Sequence, residues 1–161
     1  MLLAMLKART CLSLLVLFGL SACTALAAAQ PDQDQSQAVL APIHAMFDGM
    51  AHRDAAAIKA PLLPGGSLVL MRDGQPVHMS FDDFATRVAR PGTTKIEERI
   101  HHPLIRIDND LAVVWAPFDV LSDGKIDHCG TDLFNLVRIN GQWLIASVAD
   151  TGRKTCPSQE P

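Results

Sequence analysis

The sequence predicts an α+β domain in which helices pack on one face of a curved antiparallel sheet. The stretch VVWAPFDVLSDGKIDHCGTDLFNLVRINGQWLIASVADTG, from Val113 to Gly152, contains hydrophobic runs broken at Asp123-Gly124 and Asn140-Gly141. Such dipeptides form two-residue hairpin turns, because Gly and Asn or Asp tolerate the positive φ that those turns demand. Three consecutive strands follow from this. They are rich in Val, Ile, Phe, Trp and Thr and apolar on both alternating faces, so the sheet must be covered on both sides. Helical periodicities dominate the chain ahead of these strands.

The first 29 residues read as an export signal. Lys7 and Arg9 precede an apolar run from Cys11 to Leu20, and small residues follow. A membrane span would need about 20 apolar residues. Two cleavage sites compete. Leu20-Ser21-Ala22-Cys23 resembles a lipobox, which would leave a lipid on Cys23 and a membrane-anchored lipoprotein. Ala25-Leu26-Ala27 and Ala27-Ala28-Ala29 suit an ordinary signal peptidase and a periplasmic or secreted product. Residues 30–161 then form one domain with a single core. Its 12 Lys and Arg oppose 17 Asp and Glu and form no basic cluster, which argues against a nucleic-acid partner.

In the mature chain, Val39, Leu40, Ile43, Met46, Phe47 and Met50 recur at helical spacing from Ser36 to Met50, with Pro42 expected to start or kink the helix. Asp54 is placed to cap a short second helix that stops by Pro61. After Pro64-Gly65-Gly66, Leu68–Met71 and Pro76–Met79 form a hairpin about Asp73-Gly74. Ser80 and Asp83 open a third helix, Phe81 to Arg90, closed by Pro91-Gly92. One long strand from Lys95 to Ile107 and the loop Asp108-Asn109-Asp110 lead into the sheet. The order is helix, helix, hairpin, helix, then four long strands.

This order, with the phrases VVWAPFDVLSDGKIDHCGTDLFNLVRINGQWLIASVADTGRKTC and MFDGMAHRDAAAIKA, resembles the nuclear transport factor 2-like superfamily. Within it the chain is most similar to the SnoaL-like branch labelled putative lumazine-binding. The likeness spans the mature chain and is specific from Trp115 to Cys156. It implies a cone-shaped fold with a cavity between sheet and helices, and a homodimer through the outer face of the sheet. It implies little chemistry, since the superfamily holds ketosteroid isomerases, dehydratases, epoxide hydrolases and non-enzymatic binding domains.

Chemistry must come from the residues, and strand register sorts them. Two-residue turns at Asn140-Gly141 and Asp123-Gly124 pair Ile139 with Gln142 and Ser122 with Lys125. Opposed residues share a face, so one face would carry Trp115, Asp119, His128, Asp132, Phe134, Trp143, Ile145, Ser147 and Arg153, with Asp119 opposite His128. A three-residue loop before it adds Arg99 and His101. The other face carries Val114, Thr131, Leu133, Leu144 and Ala146, the expected dimer surface, since uncovered it would form a large apolar patch. A single bulge would undo this parity.

The first face has the apolar lining and few polar groups of a small-molecule pocket. Asp119, His128 and Asp132 are its candidate catalytic residues, and Trp115, Phe134, Trp143, Ser147, Arg99 and His101 its candidate ligand contacts. An Asp119–His128 pair could act as acid and base, or it could be a structural cross-strand hydrogen bond. Asp132 could be a buried base. Cys129 would face Gly152, so a tail curling back there could bring Cys156 into a disulfide.

No metal or cofactor site is expected. His101 and His102 are adjacent on a strand and point to opposite faces, and His44 and His52 lie eight residues apart on a helix. No phosphate loop, HExxH pair or nucleophile elbow occurs. The chain has no Tyr, so the Tyr-assisted oxyanion chemistry of ketosteroid isomerases cannot be carried over. Two functions from different classes follow. One is the binding of a small hydrophobic or aromatic molecule; the other is cofactor-independent isomerase, dehydratase or hydrolase activity. A dimeric module whose cavity is filled by its own side chains is a third.

Overall fold

The computed structural model describes residues 33–156. The export signal and the lipobox at Cys23 lie outside these residues. The elements run α1 (Gln33–Ala51), α2 (Ala55–Lys59), β1 (Leu62–Arg72), β2 (Gln75–Ser80), α3 (Phe81–Val88), β3 (Ile96–Ile100), β4 (Leu104–Asp108), β5 (Leu111–Ser122), β6 (Lys125–Ile139) and β7 (Gln142–Arg153). Seven strands form one curved, open sheet in the order β2-β1-β7-β6-β5-β3, and β4 also pairs with β5. The helices pack on one side, as expected for an α+β cone.

Local chemistry sets the helix ends. The Asp54 carboxylate accepts the amides of Ala56 and Ala57 at 2.8 and 3.1 Å, starting α2. The Ser80 hydroxyl accepts the Asp83 amide at 3.0 Å and donates to the Asp83 carboxylate at 2.6 Å, starting α3. Pro42 lies inside α1 rather than at its start. At Gly49 a β-carbon would press on the backbone of Ala57 and Ile58, so a side chain there would push α2 away from α1. Ile43 and Ile58 from the helices meet Phe134, Leu136 and Ile145 from the sheet in a fully buried core. Each such side chain contributes roughly 1.5–3 kcal/mol by leaving water. Phe47 seats α1 edge-on against Phe134, ring centroids 6.2 Å apart.

The turns at Asp73-Gly74, Asp123-Gly124 and Asn140-Gly141 hold both residues at positive φ, as expected. The ladders between them differ from the sequence expectation in four places. Between Val120 and Leu121, Asp127 is an extra residue in β6, so Val120 faces His128 and Asp119 faces Cys129. Ala146 is the corresponding extra residue in β7, so Cys129 faces Arg153 rather than Gly152. It lies where β1, parallel to β7, jumps from Leu62 to Ser67 around Pro64, which lacks an amide, and Gly65 at φ 83°. The expected strand from Lys95 to Ile107 is broken into β3 and β4 at His101-His102-Pro103, with His102 at φ 44°. The loop into β5 is a two-residue turn, because Asp108 pairs directly with Leu111.

The bulges redistribute the sheet's faces. Val114 is buried in the core and not on the expected dimer surface, Ala146 occupies the bulge, and Thr131, Leu133 and Leu144 lie half-buried on the outer face.

Cys129 and Cys156 form a disulfide, Cα atoms 5.8 Å apart, tying the tail beyond β7 back onto β6. The bond closes a loop between positions separated by 27 residues. Replacing both cysteines with Ser is expected to lower stability by about 3–4 kcal/mol on the chain-entropy account. Equilibrium urea unfolding of both proteins checks this; equal midpoints would refute it.

Candidate functional site

A cavity of about 490 Å³ lies between the sheet and the helices. Met46 and Met50 of α1, Leu68 and Leu70 of β1, Phe84 of α3 and Phe134 of β6 give it an apolar lining. Its sheet wall also carries Arg72, Glu98, Asp132 and Asp150. These four polar groups stand on inward-facing positions of four strands, where apolar residues would be the default.

The ladder brings them together. Asp132 of β6 faces Asp150 of β7 directly across the strands, an arrangement in which two ionised carboxylates repel. Asp150 is neutralised by Arg72 of β1 through a bidentate pair, Nη1 to Oδ1 at 2.6 Å and Nη2 to Oδ2 at 2.7 Å. That hydrogen bonding raises the Arg72 pKa further. Asp132 has no such partner. It is 3% exposed, and its Oδ2 has no donor among the described residues.

The second carboxyl acting on Asp132 is Glu98 of β3, which lines the same cavity. Burial is the first cause that pushes both upward. Asp132 rises well above its ordinary value, through burial and then the charges of Glu98 and Asp150, against the opposing pull of Arg72. Glu98 is pushed up to about 7, through burial and the Asp150 charge, while Asp132 and the nearby Arg72 act the other way. Both carboxyls therefore favour the protonated form, and the charge of each acts on the titration of the other.

Of the residues expected at the site, Asp132, His128 and Phe134 line this cavity. His128 sits at the sheet end, its Nδ1 2.7 Å from Asp127 Oδ2 and its ring edge-on to Phe118, centroids 5.9 Å apart. His128 and then Lys154 hold the Asp127 carboxyl below its usual range.

The others are elsewhere. Asp119 is not opposite His128; the bulge at Asp127 turns it to the outer face, where its Oδ2 lies 3.0 Å from His101 Nε2. Trp115, expected as the apolar wall, is on that same outer face and 52% exposed. Arg99 faces Asp119 across the ladder and pairs with Glu97, also outside. Ser147 accepts a hydrogen bond from Asn135 on the outer face at 2.9 Å. Trp143 is buried at a second, shallower groove between α1, α2 and β7, with the Arg138 guanidinium 5.1 Å from its ring centre.

Glu98, Asp150 and Arg72 were not among the expected site residues. Their signal was local: Ile96, Glu98 and Ile100 alternate on one face of a strand, as do Leu68, Leu70 and Arg72, so each charge occupies a position that periodicity assigns to the core.

The raised carboxyls fix a pH dependence of stability. Glu98 has an ordinary value of 4.5 and about 7 in the folded protein. Unfolding therefore releases its proton above pH 4.5, and the stabilisation from the protonated group is lost as pH rises through about 7. Glu98→Gln, neutral at every pH, is expected to be more stable than the parent by about 1–3 kcal/mol near pH 8 and nearly equal to it near pH 4.5. Thermal unfolding across that range checks this; a parent that gains on the variant as pH rises would contradict it.

A family model described as Putative lumazine-binding matches residues 34–149. Comparison with curated proteins finds no match. Among solved structures, an NTF2-like protein of unknown function from Silicibacter pomeroyi is 18% identical with a TM-score of 0.60, covering 74% of this chain and 97% of its own. A Nostoc punctiforme protein of unknown function with a cystatin-like fold is 11% identical with a TM-score of 0.65, covering 80% and 98%. An NTF2-like protein from Cytophaga hutchinsonii is 13% identical with a TM-score of 0.62, covering 76% and 100%. At these identities the structures speak for the fold. The family match over most of its length establishes that the chain belongs to the Putative lumazine-binding family, and its fold is the one seen in NTF2-like proteins.

Proposed function

We propose that this domain binds a small, largely apolar molecule in the cavity between sheet and helices. The observation that carries the reading is the cavity itself: about 490 Å³, lined by apolar side chains from both layers, with a few polar groups gathered on one wall. The family's description, which names an aromatic heterocycle, is in keeping with it. Phe134 and Phe84 supply the apolar contact, and Asp132 with Glu98 the polar anchor. Trp115, Asp119, Arg99, His101 and Ser147 have no part in the cavity.

Acid–base catalysis is the second reading, favoured by two carboxyls on the cavity wall that burial pushes upward, Glu98 to about 7. It would replace the expected Asp119–His128 pair with Glu98 and Asp132, in an isomerase, dehydratase or hydrolase without a cofactor.

Two contextual proposals accompany the binding role. The domain works outside the cytoplasm, which the leader-like first 29 residues and the Cys129–Cys156 bond support. It also pairs with a second copy through the outer face, where Leu104, Trp115, Leu133 and Ala149 stand side by side across β4, β5, β6 and β7. Leu104 and Trp115 are 46% and 52% exposed, an apolar row that a partner sheet would cover. Trp115→Glu is expected to convert a dimer to a monomer in sedimentation at high micromolar concentration; a monomeric parent would dismiss the dimer.

Ligand binding is tested with N-phenyl-1-naphthylamine, a neutral dye that brightens in apolar surroundings. Its fluorescence is expected to rise saturably with the parent, with affinity weakened by about tenfold or more in Val77→Trp, which narrows the cavity from its exposed edge. No saturable signal, or the same affinity in the variant, would count against a ligand cavity here.

A further inference from the structure

The polar wall of the cavity gathers three carboxyls, Glu98, Asp132 and Asp150, around one guanidinium, Arg72. The charged and titratable groups facing it are Arg72 from β1, Glu98 from β3, Asp127, His128 and Asp132 from β6, Asp150 from β7, Arg53 from the turn after α1 and Arg87 from α3. Arg72 is engaged by Asp150 through both nitrogens. The Arg53 guanidinium donates to the carbonyls of Val88, Arg90 and Thr94 at 3.1–3.2 Å, pinning the end of α3. Arg87 lines the cavity from the exposed side of α3. His128 is engaged by Asp127, which also takes Lys154. Glu98, half-buried, and Asp132, buried, remain without an ion pair among the described residues.

One oxygen on this wall is left unpartnered: Asp132 Oδ2 is buried, has no donor among the described residues and belongs to a side chain lining the cavity. A buried acceptor without a partner is costly, and a ligand donor that reaches it recovers that cost. The surrounding wall is apolar, so the complementary molecule has an apolar body as well as a charged head. A metal ion is a poorer fit, because among the described residues no group of three or more His, Cys, Asp or Glu is disposed to hold one.

We propose that the cavity selects an amphipathic organic cation, an apolar or aromatic amine or amidine whose N–H groups donate to Asp132 Oδ2 and the Glu98 carboxylate. The proposal rests on the cavity being a ligand site and names the class of ligand. Binding supplies the donor that Asp132 Oδ2 lacks among the described residues. It also favours ionisation of the two carboxyls, so a cation entering near neutral pH displaces a proton.

Three isosteric probes separate the possibilities: 2-naphthylmethylamine, 2-naphthylmethanol and 2-naphthoate, each titrated by displacement of N-phenyl-1-naphthylamine. The amine is expected to bind about tenfold or more tighter than the alcohol near pH 8, and the carboxylate not measurably. This preference is expected to shrink as pH falls to about 5.5, where Glu98 is protonated while the amine stays charged. In the Glu98→Gln/Asp132→Asn double variant the preference is expected to fall below about threefold while the alcohol still binds, which also reports that the variant is folded. Equal affinities for amine and alcohol, tightest binding of the carboxylate, or displacement of the dye by calcium ion but not by the amine would overturn the proposal while leaving a ligand cavity. Failure of the dye itself to bind would remove the cavity reading and this one together. A double variant that does not fold leaves the three-probe comparison on the parent to decide.

Discussion

Three carboxyl groups and one guanidinium share a wall of the cavity, and the remainder of the site follows from their imbalance. Two unit charges about 4 Å apart interact by roughly 4 kcal/mol at the effective dielectric of a protein. Asp150 and Asp132, opposed on neighbouring strands, could not both stay ionised without compensation. Arg72 settles the first by a bidentate pair. Burial and the neighbouring charges push the second toward its protonated form, and one of its buried oxygens has no donor among the described residues. A domain selected for stability alone would place leucine or valine at these inward positions. Buried carboxyls that are kept without their own counter-ions are more economically explained by a role in binding or chemistry.

Which residues reach that wall is decided by two single-residue insertions. Asp127 adds a residue to β6 and Ala146 adds one to β7, and each reverses the parity of everything beyond it. The reversal leaves His128, Asp132 and Phe134 facing inward and turns Trp115 and Asp119 outward, so a face that reads as continuous from the turns is divided between the two sides of the sheet. The Asp–His contact is nevertheless present in altered form: Asp119 meets His101 instead, from the end of β3.

Much of the fold was legible because its signals are local. Positive φ at Asp123-Gly124 and Asn140-Gly141, the caps at Asp54 and Ser80, and the apolar repeat of α1 depend on chemistry within a few residues. The Cys129–Cys156 bond was legible too, although Cys129 is opposite Arg153 and not Gly152. The bulges were not legible, since neither Asp127 nor Ala146 carries a backbone demand of its own. Ala146 is displaced by the parallel pairing of β7 with β1, a contact between segments some 80 residues apart that no window of sequence reports. The site was half legible. Asp132 was read as a candidate buried base and is indeed buried, whereas Glu98 required asking why a charge alternates with Ile96 and Ile100. Its partnership with Asp132 spans two strands and emerges only once the sheet is assembled and curved.

The family establishes the architecture and leaves the chemistry to the individual chain. Here the absence of Tyr removes one source of donors, and the polar capacity of the cavity is concentrated in carboxyls that need either a proton or a cation. The most direct measurement of that central claim is a carboxyl ¹³C NMR titration of the full domain, with Glu98→Gln and Asp132→Asn used to assign the two resonances. Two carboxyls whose charges act on each other's titration require coupled, two-step curves in which Glu98 and Asp132 respond together, with an apparent pKa near 7 and a change in either curve when the other carboxyl is replaced. Two independent curves that both titrate in the ordinary carboxylate range near 4 would contradict the account.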